Sequence, residues 1–251
     1  MDYIIKVMSY YRAHIQNEDT TSLSYYFLLS LIPAITLLAF LSHLLHVDLT
    51  IVKDMLYQVF THDIALIIEN ALFDQRISYL SIVTIFVSLY ICSKGIYRLI
   101  RKVNELYHYE SPFYLKLKIH SLMDTFLVLI LILVLIVIVG VIPMIMSLLN
   151  LDAILVVYKY IGGFAFLFMV LLIVFYLVPS TKVSIKEIWV GTLFTTISFI
   201  LIIFGINIYL KYANYSNIYG SFASIAVLLL TCDFFAKGLY LGFVINALRK
   251  M

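Results

Sequence analysis

Charge is what this sequence lacks most. Asp, Glu, Lys and Arg make up 12% of its 251 residues, about half of the ~25% usual in a soluble domain. Without more charge, a water-facing surface cannot be covered. Cysteine is nearly absent too. Cys92 and Cys232 both fall inside apolar runs, so no disulfide framework is expected. Only four prolines interrupt the chain, which leaves room for long helices. Residues 1–21 lack a short apolar core followed by a small-residue cleavage site. No cleaved signal peptide is expected, and the first apolar run serves as its own insertion signal. No phosphate loop, no G-x-S-x-G and no recognised metal-ligand spacing occurs. Neither a catalytic residue, a metal nor a cofactor is expected.

What is there is hydrocarbon. Hydrophobic residues reach 64% and aromatic ones 16%, against ~45–50% apolar in an average domain. The composition points to an all-α, polytopic membrane bundle, read as one membrane domain over residues 1–251. Six runs are long enough to cross ~30 Å of hydrocarbon as helices. They cover about 23–41, 77–92, 122–148, 154–178, 188–210 and 222–246.

The segments between them have patterns of their own. Ile4, Met8, Tyr11 and Ile15 recur at helical spacing in residues 1–16, which suits a short interfacial helix. Asn17-Glu18-Asp19-Thr20 then offers caps for the first span. Residues 43–76 carry two amphipathic stripes and are expected to lie on the outer membrane surface. Residues 94–120 hold Lys94, Arg98, Arg101, Lys102, Lys116 and Lys118 and form a basic cytoplasmic arm. Small residues make packing seams: Ser81, Thr84, Ser88, Cys92 and Gly95 in the second span, and Gly191, Thr195, Ser198 and Gly205 in the fifth.

Cations fix the expected orientation. The N-terminus, the connections 2–3 and 4–5, and the C-terminus hold twelve Lys and Arg; the other three connections hold Lys53, Arg76, Lys159 and Lys211. The positive-inside rule then puts both termini in the cytoplasm, which an even number of crossings requires.

One constellation carries chemistry. In the last span Asp233 precedes Lys237 by four residues, the favourable order for an ion pair on a helix. A lone charge at mid-bilayer costs at least ~2.5–3.5 kcal/mol, so the pair is expected to face protein or water. Two readings stand. The pair locks the helix in register, or it lines a polar route for a substrate. Gly238 and Gly242 follow at G-x-x-x-G spacing, where another backbone can come close.

Other candidates are weaker. Ser30 and Pro33 share an inward face of the first span, where Pro33 frees a carbonyl. Tyr219 and Ser221 open the last span and present hydroxyls to a lipid headgroup, or simply start a helix. Lys94, Arg98, Arg101 and Lys102 suit anchoring to anionic lipid at the cytoplasmic face, at ~1 kcal/mol each. His43, His46, Asp48 and His62-Asp63 read as solvated loop. The expected partners are membrane lipids and not nucleic acid; a homo-oligomer is left open.

Four segments, in order, resemble a known family. They are Ser24-Tyr25-Tyr26-Phe27-Leu28-Leu29-Ser30-Leu31-Ile32-Pro33; Ser93-Lys94-Gly95 with Asn104-Glu105-Leu106-Tyr107; Pro179 with Trp189 and Gly191; and Tyr219-Gly220-Ser221-Phe222-Ala223 with Gly242 and Asn246. Together they resemble the YihY/BrkB inner-membrane proteins, once labelled ribonuclease BN. The resemblance implies an all-helical inner-membrane protein and brings envelope lipids and the older ribonuclease label into view. The chain departs from the family pattern at Thr231, where Trp is frequent, and at Val244, where Glu is frequent. Transport or flipping of a lipid or other amphipathic envelope molecule is the expectation. A membrane-bound ribonuclease and a non-transporting envelope scaffold are the alternatives.

Overall fold

Acidic residues start two of the helices by the same device. The Gln16 N–H donates to Oδ2 of Asp19 over 2.9 Å, and the Ser184 N–H donates to Oε2 of Glu187 over 3.2 Å. In each, a side chain three residues into the helix reaches back to an orphan backbone donor. Its negative charge also suits the positive end of the helix dipole.

The computed structural model describes residues 2–44, 66, 80–110, 114–148, 152–212 and 221–250. Among the described residues all regular structure is helical. There are seven helices: α1 (Asp2–His14), α2 (Asn17–Leu44), α3 (Leu80–Leu106), α4 (Tyr114–Leu148), α5 (Asp152–Leu177), α6 (Ile185–Tyr212) and α7 (Ser221–Lys250). The expected outer amphipathic segment 43–76 lies, apart from its first two positions and Leu66, outside the described residues.

The six long helices close into a ring. Each of α2 to α7 packs on its neighbour in sequence, and α7 packs back on α2. Contacts between α2 and α4, and between α3 and α7, cross the ring. α7 is the common member, touching α1, α2, α3 and α6. Its second half supplies the centre of the core: Ala236, Leu239, Tyr240, Phe243, Val244 and Ala247 are all buried. The Phe175 and Phe243 rings meet there at 4.2 Å.

α3 does not stop where its apolar run ends. Leu99, Ile100, Val103 and Leu106 continue the helical spacing through the basic stretch and are buried in the same core. The arm's apolar stripe therefore packs into the bundle. α3 ends in a Schellman motif, with the Tyr109 N–H donating to Asn104 O and the His108 N–H to Glu105 O. His108 takes the left-handed conformation there, with φ at 51°.

α1 has two apolar faces. Val7 and Ile15 join the core, with Tyr10 and Tyr11 packed against it. Ile4, Ile5 and Met8 are exposed. The expected stripe of Ile4, Met8, Tyr11 and Ile15 is thus shared between the two faces.

Among the described residues, two helical stretches are long and apolar enough to cross a bilayer: Ile185–Tyr209 in α6 and Ala226–Lys250 in α7. α6 turns Phe194, Ile197, Leu201 and Phe204 outward. An exposed row of that kind suits a lipid solvent better than water.

Candidate functional site

α7 is apolar for most of its length, so its one acid and its one mid-helix lysine stand out. They do meet. Nζ of Lys237 lies 2.6 Å from Oδ2 of Asp233. The pair sits at the rim of the bundle, not in its core: the side chains are 26% exposed for Asp233 and 44% for Lys237. Lys237 also stands 5.9 Å over the Phe234 ring. The opposite face of the same turns packs inward. There Phe235 stacks on Phe199 of α6 at 4.4 Å, and Gly238 lets Phe199 come close.

α1 brings a third polar group to this rim. Burial pushes the Tyr11 phenol above its ordinary value, and the carboxylates of Asp233 and Asp19 push it further. The Tyr11 ring thus stands within electrostatic reach of the α7 pair. An acid and an amine side by side give an acceptor and several donors of opposite charge in a small space. Such a place can hold a polar or zwitterionic headgroup.

The other sequence candidates go elsewhere. The Ser30 hydroxyl donates to Phe27 O over 3.1 Å, within its own helix. Its carbonyl accepts the Cys92 thiol at 3.7 Å. A Cβ on Gly95 would lie 3.3 Å from the Tyr26 Cβ. These are α2–α3 packing contacts. α2 runs unbroken through Pro33, whose side chain lies outside the described residues, as do Tyr219 and the Ser221 side chain. The same holds for the side chains of Ser81, Thr84, Ser88 and His43, and for His46, Asp48 and His62-Asp63.

The basic arm divides. Lys102 is turned to protein, 3.0 Å from Asp19 and 3.2 Å from Glu105. It ties the start of α2 to the end of α3. Arg98 and Arg101 are exposed. Lys94 is exposed too, with its ammonium 4.6 Å from the centroid of Tyr90.

Two clasps escaped the sequence reading as sites. The Asn104 amide donates to Ser180 Oγ over 2.9 Å, and the Ser180 N–H donates back to Asn104 Oδ1 over 3.0 Å. The Gly191 N–H donates to Asn246 Oδ1 over 2.8 Å. The Thr195 hydroxyl donates to Gly191 O over 2.8 Å and stands 3.4 Å from Gly238 O. Asn104, Thr195 and Asn246 are all fully buried. The signal was present but unpaired, because nothing local links residues so far apart in the chain.

Comparison with family profiles gives a match to the family described as "Virulence factor BrkB", over residues 11–251. The chain belongs to the BrkB family. Comparison with curated proteins and with solved structures gives no match. Family membership and the two apolar helices mark a membrane protein. In this BrkB chain the four resembling segments meet each other: Tyr26 with Gly95, Asn104 with the residue after Pro179, and Gly191 with Gly242 and Asn246. They build the helix crossings. Asp233 and Lys237 lie outside those segments. Val244, where the family frequently carries Glu, is fully buried among apolar side chains.

Proposed function

We propose that this BrkB-family protein moves a lipid or other amphipathic envelope molecule across or within the cell membrane. The observation that carries the reading is the half-exposed Asp233–Lys237 pair on an otherwise apolar helix, its charged atoms 2.6 Å apart. Charges at membrane depth are costly and mark substrate or ion routes more often than ordinary packing.

The proposed topology has α2 to α7 each crossing once, with both termini in the cytoplasm. Several bonds support it by gathering one end of the bundle. The Tyr10 hydroxyl donates to Leu106 O over 2.9 Å, Asn104 bonds Ser180, and Lys250 donates to Lys182 O over 2.8 Å. The ends of α3, α5 and α7 thus lie with the starts of α2 and α6. This is also the end rich in Lys and Arg, which the positive-inside rule assigns to the cytoplasm.

The test is reconstitution. Purified full-length protein in liposomes is expected to move fluorescent lipid between leaflets faster than empty liposomes do. Asp233→Asn and Lys237→Gln are expected to slow it. Transport equal to empty liposomes for every lipid class tried would overturn the reading.

A further inference from the structure

The last turn of α7 reaches over the first turns of α6. There the Arg249 guanidinium stands 5.8 Å from the centroid of the Trp189 ring. Attraction of a cation to an indole face holds the two together, but it satisfies none of their polar hydrogens. Among the described residues neither the guanidinium nor the indole N–H has an acceptor, and Arg249 has no ion pair. Both residues are exposed, Trp189 at 45%. Lys250 and Glu187 beside them are already engaged. Lys250 donates to Thr181 Oγ1 and Lys182 O, and Glu187 accepts the Ser184 N–H. The corner thus presents a planar fork of charged donors with a further N–H beside it, which complements the oxygens of a phosphate.

Such a phosphate comes either from solution or from a phospholipid, and α6 favours the lipid. About two and three turns on from Trp189, Ile197 and Ile200 return to its side of the helix, and they are 45% and 40% exposed. They stand ~12 and ~16 Å along the axis from Trp189, a span close to the ~15 Å of hydrocarbon in one leaflet. A free phosphate uses the donors alone. A phospholipid uses the donors and the apolar row together. Lys182 and Lys186, in the connection before Trp189, are exposed as well. The local charge therefore favours a headgroup that carries no cation of its own.

We propose that the corner formed by Arg249 and Trp189 binds the phosphate of one anionic phospholipid, with an acyl chain lying along Ile197 and Ile200. This site lies ~18 Å beyond Lys237 along α7, and it stands whether or not the protein moves lipid.

Trp189 is the one tryptophan of the chain, so its fluorescence reads the site with no added label. The full-length protein is placed in phosphatidylcholine vesicles that carry phosphatidylglycerol or phosphatidylcholine brominated on its acyl chains near the headgroup. Brominated phosphatidylglycerol is expected to half-quench Trp189 at about a fivefold lower mole fraction than brominated phosphatidylcholine. Arg249→Gln is expected to abolish that preference. Arg101→Gln removes the same charge from an exposed position on α3 and is expected to leave it in place. Equal quenching by the two lipids in the unaltered protein overturns the proposal. So does a preference that survives Arg249→Gln, or one that Arg101→Gln removes as fully, which is the signature of general attraction to a charged surface. Excess inorganic phosphate at constant ionic strength is expected to leave the quenching unchanged. Full relief by phosphate would make this a site for the free anion and overturn the lipid assignment.

Discussion

Oδ1 of Asn246 accepts the backbone N–H of Gly191 over 2.8 Å. That bond joins α7 to α6 at a point where both helices have given up side chains. A Cβ on Gly191 would collide with the Asn246 amide and with Gly242 O; one on Gly242 would collide with Thr195 Oγ1 and lie 2.6 Å from Phe175. The neighbours are buried and include backbone, so they cannot step aside.

Gly191→Ala and Gly242→Ala are therefore expected to lower stability by about 1–3 kcal/mol or more through overpacking. Gly205→Ala makes the control, because nothing lies within 4 Å of its added methyl. There the better helix propensity of alanine is expected to stabilise by up to ~1 kcal/mol. Thermal melts in detergent compare the three. A Gly205→Ala loss as large as that of Gly191→Ala would show that the crossing does not depend on these glycines.

Asn104 and Ser180 exchange two hydrogen bonds, but they do not contribute equally. Asn104→Ala removes both and strands the Ser180 N–H, an expected cost of about 2–3 kcal/mol. Ser180→Ala leaves its own N–H bonded to Asn104 Oδ1 and is expected to cost about 1 kcal/mol. The order of the two melting temperatures checks the assignment. Ser180→Ala as the more damaging change contradicts it.

Tyr107 offers a pH test. Its hydroxyl is buried and has no hydrogen-bond partner among the described residues. Burial, and then Glu187, pushes the phenol well above its ordinary value of 10.0. Above about pH 10 the unfolded chain loses this proton while the folded chain keeps it. The folded state then binds more protons, so stability falls as pH rises. Tyr107→Phe is expected to flatten the decline above about pH 10. At neutral pH it is expected to be neutral or mildly stabilising, since it removes an unsatisfied hydroxyl. The Lys250 ammonium, 5.6 Å over this ring, keeps its aromatic face. An unchanged alkaline slope would remove Tyr107 from the explanation.

The helices were legible because apolar periodicity is local. Leu99, Ile100 and Val103 stood in plain view between the cations, and they carried α3 onward into the bundle. The site was harder to see. Asp233 and Lys237 announced a pair by spacing alone, but its place at the rim depends on how α7 packs on its neighbours, which no local pattern encodes. Gly191 and Gly205 looked alike as members of one seam. Only the crossing angle of α6 and α7 decides that the first meets Asn246 and the second meets open space. Asn104 and Ser180 lie 76 residues apart, and side-chain partners at that distance leave no periodicity to read.

The Asp233–Lys237 pair yields the last prediction, which separates a structural lock from a transport contact. If the pair only holds helix register, breaking it costs stability. Half-exposed to water, such a pair contributes up to ~1 kcal/mol; facing hydrocarbon, a lone remaining charge costs at least ~2.5–3.5 kcal/mol. Asp233→Asn alone leaves the lysine without its acid. The double variant Asp233→Asn/Lys237→Gln leaves no charge at all and keeps a polar side chain at each position. A lock predicts that the single variant melts lower, that the double variant recovers, and that lipid movement follows stability. A transport contact predicts that the double variant folds normally yet moves labelled lipid at least about tenfold more slowly, equivalent to ~1.4 kcal/mol. Melts and leaflet-exchange rates on the same preparations decide it. A double variant that is both stable and fully active would remove the pair from the route.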